Sequence, residues 1–290
     1  MSAGSGGVVW PAPAKINLFL HVTARGADGY HSLQTVFQLL DWCDELQIEP
    51  TPEPDIVRSA GPSAIVAEQD LCVRAARLLQ QETGCRLGAR IALRKRIPTG
   101  GGLGGGSSDA ATVLCVLDRL WRLDLGVERL AALGLQLGAD VPVFVRGESA
   151  WGEGRGERLT PIELPERWFV IIHPGVSVST AEVFQAPELT RNSPVITIRD
   201  LSPGAALGVG TRNDCEALVR ARVPEVAAAL DWLAAYAPSR MTGTGACVFA
   251  AFDSAAAAER VAARVPDRWT SRVAKGLQRS PLQRSLAAIG

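Results

Sequence analysis

Net charge is what this sequence most plainly lacks: 30 Lys and Arg face 30 Asp and Glu, and the formal sum is zero. A nucleic-acid binder needs a basic surface to displace counterions from phosphate, and the chain as a whole supplies none. No nucleic-acid partner is expected, although a local basic patch stays open. A chain without net charge also has little self-repulsion to oppose association, so a monomer or weak homodimer is expected. There is no run of about 18 apolar residues, and so no expected membrane-spanning helix. Met1 to Gly7 lacks the basic segment followed by an apolar stretch that marks a secretory signal. The six cysteines (Cys43, Cys72, Cys85, Cys115, Cys215, Cys247) contain no CxxC pair, and most have apolar neighbours. They read as buried free thiols rather than metal or disulfide sites. Together these absences point to a reduced, cytoplasmic setting. No internal repeat is present.

What is present is a soluble globular composition, 47% hydrophobic and 21% charged over 290 residues, enough for one large or two modest domains. Lys15 to Val22 alternates with period two, predicting a strand with one buried face and one face presenting Lys15, Asn17 and His21. A turn at Asp28-Gly29-Tyr30-His31 precedes an apolar strand over 33–40. Thr51 to Gly61 reads as a loop or hairpin connection. The pattern then predicts a helix over 70–83, a one-sided strand over 89–97 and a helix over 107–123. A further helix over 127–137 stops at Gly138. Trp151 to Leu164 reads as the approach to a second region, followed by a short buried strand over 169–173. Helices are expected over 215–222, 224–235 and 255–265, with strands over 247–252 and 272–277. Strands followed by helices, without βα alternation, indicate an α+β protein in two parts, 1–162 and 163–290.

The most informative stretch is Pro98-Thr99-Gly100-Gly101-Gly102-Leu103-Gly104-Gly105-Gly106-Ser107-Ser108-Asp109. Glycines admit positive φ and put no Cβ in the way, so successive backbone N–H groups can converge on an anion. A helix follows directly, with Ser107, Ser108 and Asp109 as candidate N-caps and unpaired donors in its first turn. A polyphosphate is the natural occupant. Walker A needs Lys-[Ser/Thr] after its last glycine, and Ser107-Ser108 stands there instead. Gly100-x-Gly102-x-x-Gly105 formally fits the dinucleotide fingerprint, but the preceding strand carries arginines on one side rather than being apolar throughout.

Two further segments flank this loop: Pro11-Ala12-Pro13-Ala14-Lys15-Ile16-Asn17-Leu18 and Met241-Thr242-Gly243-Thr244-Gly245-Ala246-Cys247. In that order the three resemble the signatures of the GHMP kinases (galactose, homoserine, mevalonate and phosphomevalonate kinases), over nearly the whole chain. Asp28-Gly29-Tyr30-His31, Gly138-Ala139-Asp140-Val141-Pro142, Asn213-Asp214-Cys215-Glu216 and Ser239-Arg240 narrow the likeness further. They resemble the branch of the non-mevalonate isoprenoid pathway whose substrate is a cytidine diphosphate-linked methylerythritol.

The resemblance implies a two-domain α+β GHMP kinase fold, with an N-terminal half like ribosomal protein S5 domain 2 and a ferredoxin-like C-terminal half. It implies transfer of the ATP γ-phosphoryl group to the 2-hydroxyl of that small-molecule substrate, with Asp140 as catalytic carboxylate and Lys15 as its partner. A hydroxyl is a poor nucleophile at neutral pH, and a carboxylate in reach accepts its proton as the bond to phosphorus forms. Residues 98–108 are the expected ATP site. Asn17, on the same strand face as Lys15, reaches the same pocket. The resemblance assigns Tyr30, His31 and Phe184 to the cytosine ring, the aromatics stacking and the histidine reading the base edge. Mg²⁺ is expected for phosphoryl transfer, with Ser107 and Ser108 as groups that could orient it. No carboxylate ligand is assigned, and the metal-binding glutamate of mevalonate kinases has no obvious counterpart. Thr242 to Gly245 either touches ligand or only permits close approach of the phosphate loop; the sequence leaves both open. Another GHMP kinase of homoserine or mevalonate type, or a non-catalytic relative, are the alternatives.

Overall fold

The computed structural model describes residues 8–27, 29–63, 65–200 and 210–288, so the tail 1–7 and Asp28 of the expected turn lie outside it. Its first two strands are long: β1 (Val9–Arg25) runs antiparallel to β2 (His31–Thr51). β2 is the hub of a ten-stranded sheet. It also pairs with β4 (Gly88–Arg94), with β5 (Ala150–Gly154), and at Leu39 and Leu40 with β10 (Thr270–Leu277). β10 leads on to β7 (Trp168–His173), β9 (Val248–Phe252) and β8 (Ser239–Met241). The outer strands are β3 (Ile56–Ala60), parallel to β4, and β6 (Arg158–Pro161), paired with β5.

Helices cover this sheet in two groups. α1 (Leu71–Thr83), α2 (Gly105–Leu120), α3 (Gly126–Leu137) and α4 (Val141–Arg146) pack over the first half, around Leu79, Leu114, Leu117 and Phe144. α1 begins as its sequence prescribes: the Asp70 side chain accepts from Cys72 N–H, and Gly84 closes the helix in the left-handed region. α5 (Thr180–Gln185), α6 (Glu216–Arg222), α7 (Pro224–Ala234) and α8 (Ala255–Ala262) build a second core around Leu230, Leu233 and Val248. A third cluster, including Ile16, Phe19, Leu103, Phe169, Cys247 and Phe249, joins elements from both groups beneath the glycine loop. The last helix, α9 (Pro281–Ala287), returns to the first group, burying Leu282 and Leu286 there. No helix among the described residues is long and apolar enough to cross a membrane. All six cysteines are free, and Cys72, Cys115, Cys215 and Cys247 are buried.

The α+β reading holds, with five departures. β1 is buried on both faces, Lys15, Asn17 and His21 each being 2% exposed, because the glycine loop and the chain around 212–214 and 242 cover its polar side. Thr51 to Gly61 contains β3, which bonds to β4 in parallel; Pro and acidic content masked it. Trp151 to Leu164, read as the approach to a second region, holds most of a β5–β6 hairpin, its glycines serving the turn. α2 starts at Gly105, ahead of the expected cap serines. α9 was not foreseen, although Ser280 followed by Pro281 is an N-cap and N1 signal.

Candidate active site

Irregularities in β1 aim the first site residues. Its register with β2 shifts between Pro13 and Lys15 and again between Asn17 and Leu20. Such bulges twist a strand and re-aim its side chains. Backbone donors along this strand are taken by loops: Lys15 N–H by Leu103 O (3.0 Å), Asn17 N–H by Thr242 Oγ1 (2.9 Å), Leu20 N–H by Arg212 O (3.0 Å). β1 is therefore the rail on which the three expected motifs meet.

The glycine loop lies on that rail with Gly100, Gly102 and Gly104 at φ of 72°, 73° and 70°. At Gly102 no other residue fits, since a Cβ would come 2.2 Å from Thr242 O. Thr242–Cys247 seats the loop. Ala246 N–H donates to Gly100 O (3.3 Å), Cys247 N–H to Gly101 O (3.2 Å) and the Thr242 hydroxyl to Gly102 O (3.1 Å). Asn213 in turn braces the seat, donating from Nδ2 to Met241 O and Gly243 O, both at 2.7 Å. Of the two readings for Thr242 to Gly245, the structure shows the close approach: the segment supports the loop, and Gly243 and Thr244 line a cavity beside it.

α2 carries no side-chain cap. Gly104 occupies the N-cap in the left-handed region, and the first intrahelical bond runs from Ser108 N–H to Gly104 O at 2.9 Å. Ser107, Ser108 and Asp109 are therefore inside the helix, correcting the expectation that one of them caps it. A glycine cap leaves the N–H groups of Gly105, Gly106 and Ser107 ahead of the first helical bond, with the positive end of the helix dipole behind them. Ser107 faces the cavities on both sides of the loop. Ser108 faces neither: it is fully buried, and its hydroxyl has no hydrogen-bond partner.

Lys15 and Asp140 converge across this loop. Lys15 Nζ donates to Asn17 Oδ1 (2.7 Å) and Gly102 O (3.1 Å) and stands 3.1 Å from Asp140 Oδ2. Asp140 occupies the N-cap of α4, but its side chain caps nothing there and is turned to the lysine. Asn17 is fixed at both ends of its amide, accepting from Lys15 and donating to Thr35 Oγ1 at 2.9 Å. The carboxylate keeps 32% of its surface exposed beside an almost fully buried ammonium, an arrangement that admits a hydroxyl to the one while the other supplies fixed positive charge.

Three cavities meet here. One of about 260 Å³ lies along residues 98–107, walled on its far side by Pro62, Ile65, Leu71 and Lys95. A second of about 340 Å³ shares Gly102, Gly104 and Ser107 with it and contains Lys15, Asn17 and Asp140. A third, about 670 Å³, shares Leu33, Ala139, Arg155, Thr180 and Phe184 with the second and holds Tyr30 and His31. Tyr30 is 55% exposed, with the Arg155 guanidinium 3.3 Å from its ring centroid. His31 stacks on Phe184, centroids 5.1 Å apart and planes at 28°. Burial first, then the Arg191 and Arg25 charges, hold the His31 imidazole below its ordinary pKa.

Behind the loop, Lys95 bridges two buried carboxylates, Asp44 and Asp109, the latter at 2.8 Å. Asp44 also accepts from Ile97 N–H at 2.8 Å, pinning the chain just before Pro98. Burial pushes the Asp109 carboxyl up to about 8; Lys95 opposes the rise and Asp44 adds to it. Burial pulls Lys95 down, but Asp109 and Asp44 outweigh it and leave the lysine raised. Sequence reasoning did not single out Lys95, Asp44, Arg155, Thr180 or Arg191. Each is a charged or polar residue in an unremarkable local context, and only the tertiary fold brings it to a cavity wall or to a site residue. The glycines around Arg155 were the one available signal of a turn.

Residues 70–148 match the family described as GHMP kinases N terminal domain, and residues 198–271 match GHMP kinases C terminal. The 4-diphosphocytidyl-2-C-methyl-D-erythritol kinase of Alkalilimnicola ehrlichii is 59% identical over 273 residues, covering 94% of this chain and 92% of that protein. The protein of the same name from Halorhodospira halophila is 54% identical, covering 96% of each. A crystal structure of a 4-(cytidine 5'-diphospho)-2C-methyl-D-erythritol kinase superposes with a TM-score of 0.80 at 34% identity, over 93% of this chain and 99% of that one. The mevalonate kinase of Methanococcus jannaschii shares the fold alone: TM-score 0.69 at 14% identity, over 95% of this chain and 100% of that one. The two-domain α+β expectation is borne out, and this chain belongs to the 4-diphosphocytidyl-2-C-methyl-D-erythritol kinases of the GHMP kinase superfamily.

Proposed function

We propose that this protein uses ATP to phosphorylate the 2-hydroxyl of 4-diphosphocytidyl-2-C-methyl-D-erythritol, in the non-mevalonate route to isoprenoid precursors. The observation that carries this reading is the 3.1 Å approach of Lys15 Nζ to Asp140 Oδ2, in a cavity sharing Gly102, Gly104 and Ser107 with the cavity along the loop. The backbone donors of residues 100–107 hold the triphosphate. Asp140 accepts the proton of the acceptor hydroxyl as it attacks, and Lys15 stabilises the charge gathering on the transferred group. Asn17 keeps the lysine aimed through its 2.7 Å bond. In the third cavity Tyr30, His31 and Phe184 hold the cytosine ring, which puts Arg155 at the junction where the diphosphate lies. On this reading residues 1–162 supply the loop and the catalytic pair, and residues 163–290 supply Phe184 and the loop's seat.

Mg²⁺ fits this site as an ion carried by the nucleotide. No cluster of three or more His, Cys, Asp or Glu able to hold a metal occurs among the described residues, whereas Ser107 and Asp140 offer oxygens in the same cavity. Mg²⁺ in such sites keeps waters and phosphate oxygens and needs only one or two protein ligands. When bound it neutralises charge on the β- and γ-phosphates. We assign the enzyme to the cytoplasm, as a monomer or weak homodimer acting on a small molecule.

The test is ADP release from purified protein with ATP, Mg²⁺ and a panel of alcohols: the cytidine substrate, mevalonate and homoserine. Turnover confined to the cytidine substrate is expected. Comparable turnover of either other alcohol overturns the assignment.

A further inference from the structure

The geometry points to Arg191 as the residue that makes the site prefer cytosine over uracil, by holding His31 as a neutral ring with its proton on Nδ1. The inference rests on the base-binding reading of the third cavity given above.

Arg191 Nε donates to His31 Nε2 at 3.0 Å. A guanidinium has no acceptor and keeps its charge, so the nitrogen facing it must carry a lone pair. His31 is then neutral, its proton is on Nδ1, and Nδ1–H is the one polar group the ring has left to offer. Arg191 cannot readily turn away. Nη1 donates to Pro187 O (3.3 Å) and Leu189 O (3.1 Å), and Nη2 to Phe184 O (3.0 Å) and Ala186 O (2.6 Å). Every guanidinium donor is engaged. The same side chain thus ties the end of α5, which carries Phe184, to the histidine against which Phe184 stacks.

The electrostatics act in the same direction. Among the described residues the charges acting on His31 are cationic, Arg191 beyond α5 and Arg25 at the end of β1, and Arg155 from the β5–β6 turn lines the same cavity. No acidic side chain lines this cavity among the described residues. Both burial and the two nearest arginines disfavour the imidazolium.

A ring confined to donating discriminates between pyrimidines. Cytosine N3 is an acceptor and receives Nδ1–H, whereas uracil N3 carries a hydrogen and would set donor against donor. A site built around one hydrogen bond rejects an analogue that leaves its buried group unpaired.

Two measurements test this. The chain has three histidines, so ¹⁵N NMR of the free wild-type protein, assigned with a His31→Gln variant, reads the tautomer without any substrate. Nδ1–H at His31 at neutral pH is expected, and an Nε2–H ring overturns the proposal, whether or not any Arg191 variant folds. In kinetics, Arg191→Met should lower the ratio of kcat/KM for the cytidine substrate to that for its uridine counterpart by about tenfold. KM for ATP should stay unchanged, and Arg191→Lys, which keeps a donor and the charge, should restore part of the ratio. The acid limb of the cytidine kcat/KM profile should also move to higher pH in Arg191→Met, because a cation next to His31 is gone. A parallel fall on both pyrimidines with an unmoved acid limb makes Arg191 a fastener of α5 only and overturns the proposal. Wild-type protein that turns over neither substrate refutes the functional reading instead, while the tautomer remains measurable.

Discussion

Lys15 Nζ holds the carbonyl of Gly102 at 3.1 Å and the carboxylate of Asp140 at 3.1 Å, so one ammonium spans the glycine loop and the candidate base. The two contacts separate what substitutions at these positions do. Asp140→Asn keeps the shape of the site and removes the proton acceptor; kcat should fall by roughly a hundredfold to ten-thousandfold, with the ATP dissociation constant nearly unchanged. Lys15→Met cuts both contacts and should weaken nucleotide binding as well. Equal effects on ATP affinity in the two variants would count against this division, and steady-state kinetics with nucleotide titration measure it.

The seat of the loop makes a second prediction. Thr242 Oγ1 accepts from Asn17 N–H and donates to Gly102 O. Thr242→Val strands the buried Asn17 N–H, while Gly102 O keeps its bond from Lys15 Nζ, and should cost about 1–3 kcal/mol of stability. Gly102→Ala is more severe: the φ of 73° is strained for any Cβ, and that Cβ would sit 2.2 Å from Thr242 O. Denaturant unfolding should rank the glycine variant below the valine one, and the glycine variant should lose ATP binding.

Arg155 and Tyr30 should part company when substrate is cut into pieces. Tyr30→Ala removes a stacking face worth about 1–3 kcal/mol and should weaken cytidine and cytidine diphosphate alike. Arg155→Gln should weaken cytidine diphosphate and the full substrate while leaving cytidine alone, and neither variant should alter ATP affinity. Calorimetric titrations with these ligands decide it; loss of cytidine affinity in Arg155→Gln would reduce the arginine to a cover for Tyr30.

Burial of Asp109 gives the fold an expected pH dependence. Its carboxyl is raised from 3.8 to about 8 by burial, so the folded protein keeps a proton that the unfolded chain releases. Stability from this residue is therefore full at acid pH and is lost as pH rises toward about 8. Asp109→Asn removes the titrating proton and should flatten that decline. Unfolding curves at acid, neutral and mildly alkaline pH show it; a wild-type minus variant difference that does not move with pH sinks the prediction.

Much of this was legible along the chain, and the rest fails for identifiable reasons. Asp70 and Gly84 bound α1 because capping is local, and Gly138 ends α3 for the same reason. The glycine loop was legible as a tight backbone turn because positive φ at Gly100, Gly102 and Gly104 demands glycine. β3 was missed because a short, exposed edge strand needs little apolar content, and the register of β4 holds it in place. The polar face of β1 was read as open because alternation reports two faces and says nothing of what later packs on them. Asp140 shows the same limit. Its position is that of a cap, yet its carboxylate makes no capping bond and lies 3.1 Å from Lys15 Nζ, a partner 125 residues away along the chain. Arg191 and Arg155 owe their importance to neighbours more than a hundred residues away along the chain.

The pairing of β2 with β10 at Leu39 and Leu40 bears on motion. Gln38 Nε2 and Ser149 Oγ both add donors to Leu277 O, each at 2.8 Å, and Ser149 N–H reaches Gln278 O at 3.0 Å. A clamshell hinge between the flanks would have to tear this ladder and the apolar cluster beside it. The two flanks are thus bolted to each other at mid-sheet, and the spacing between the Lys15 cavity and the cavity along the glycine loop is set by that bolt.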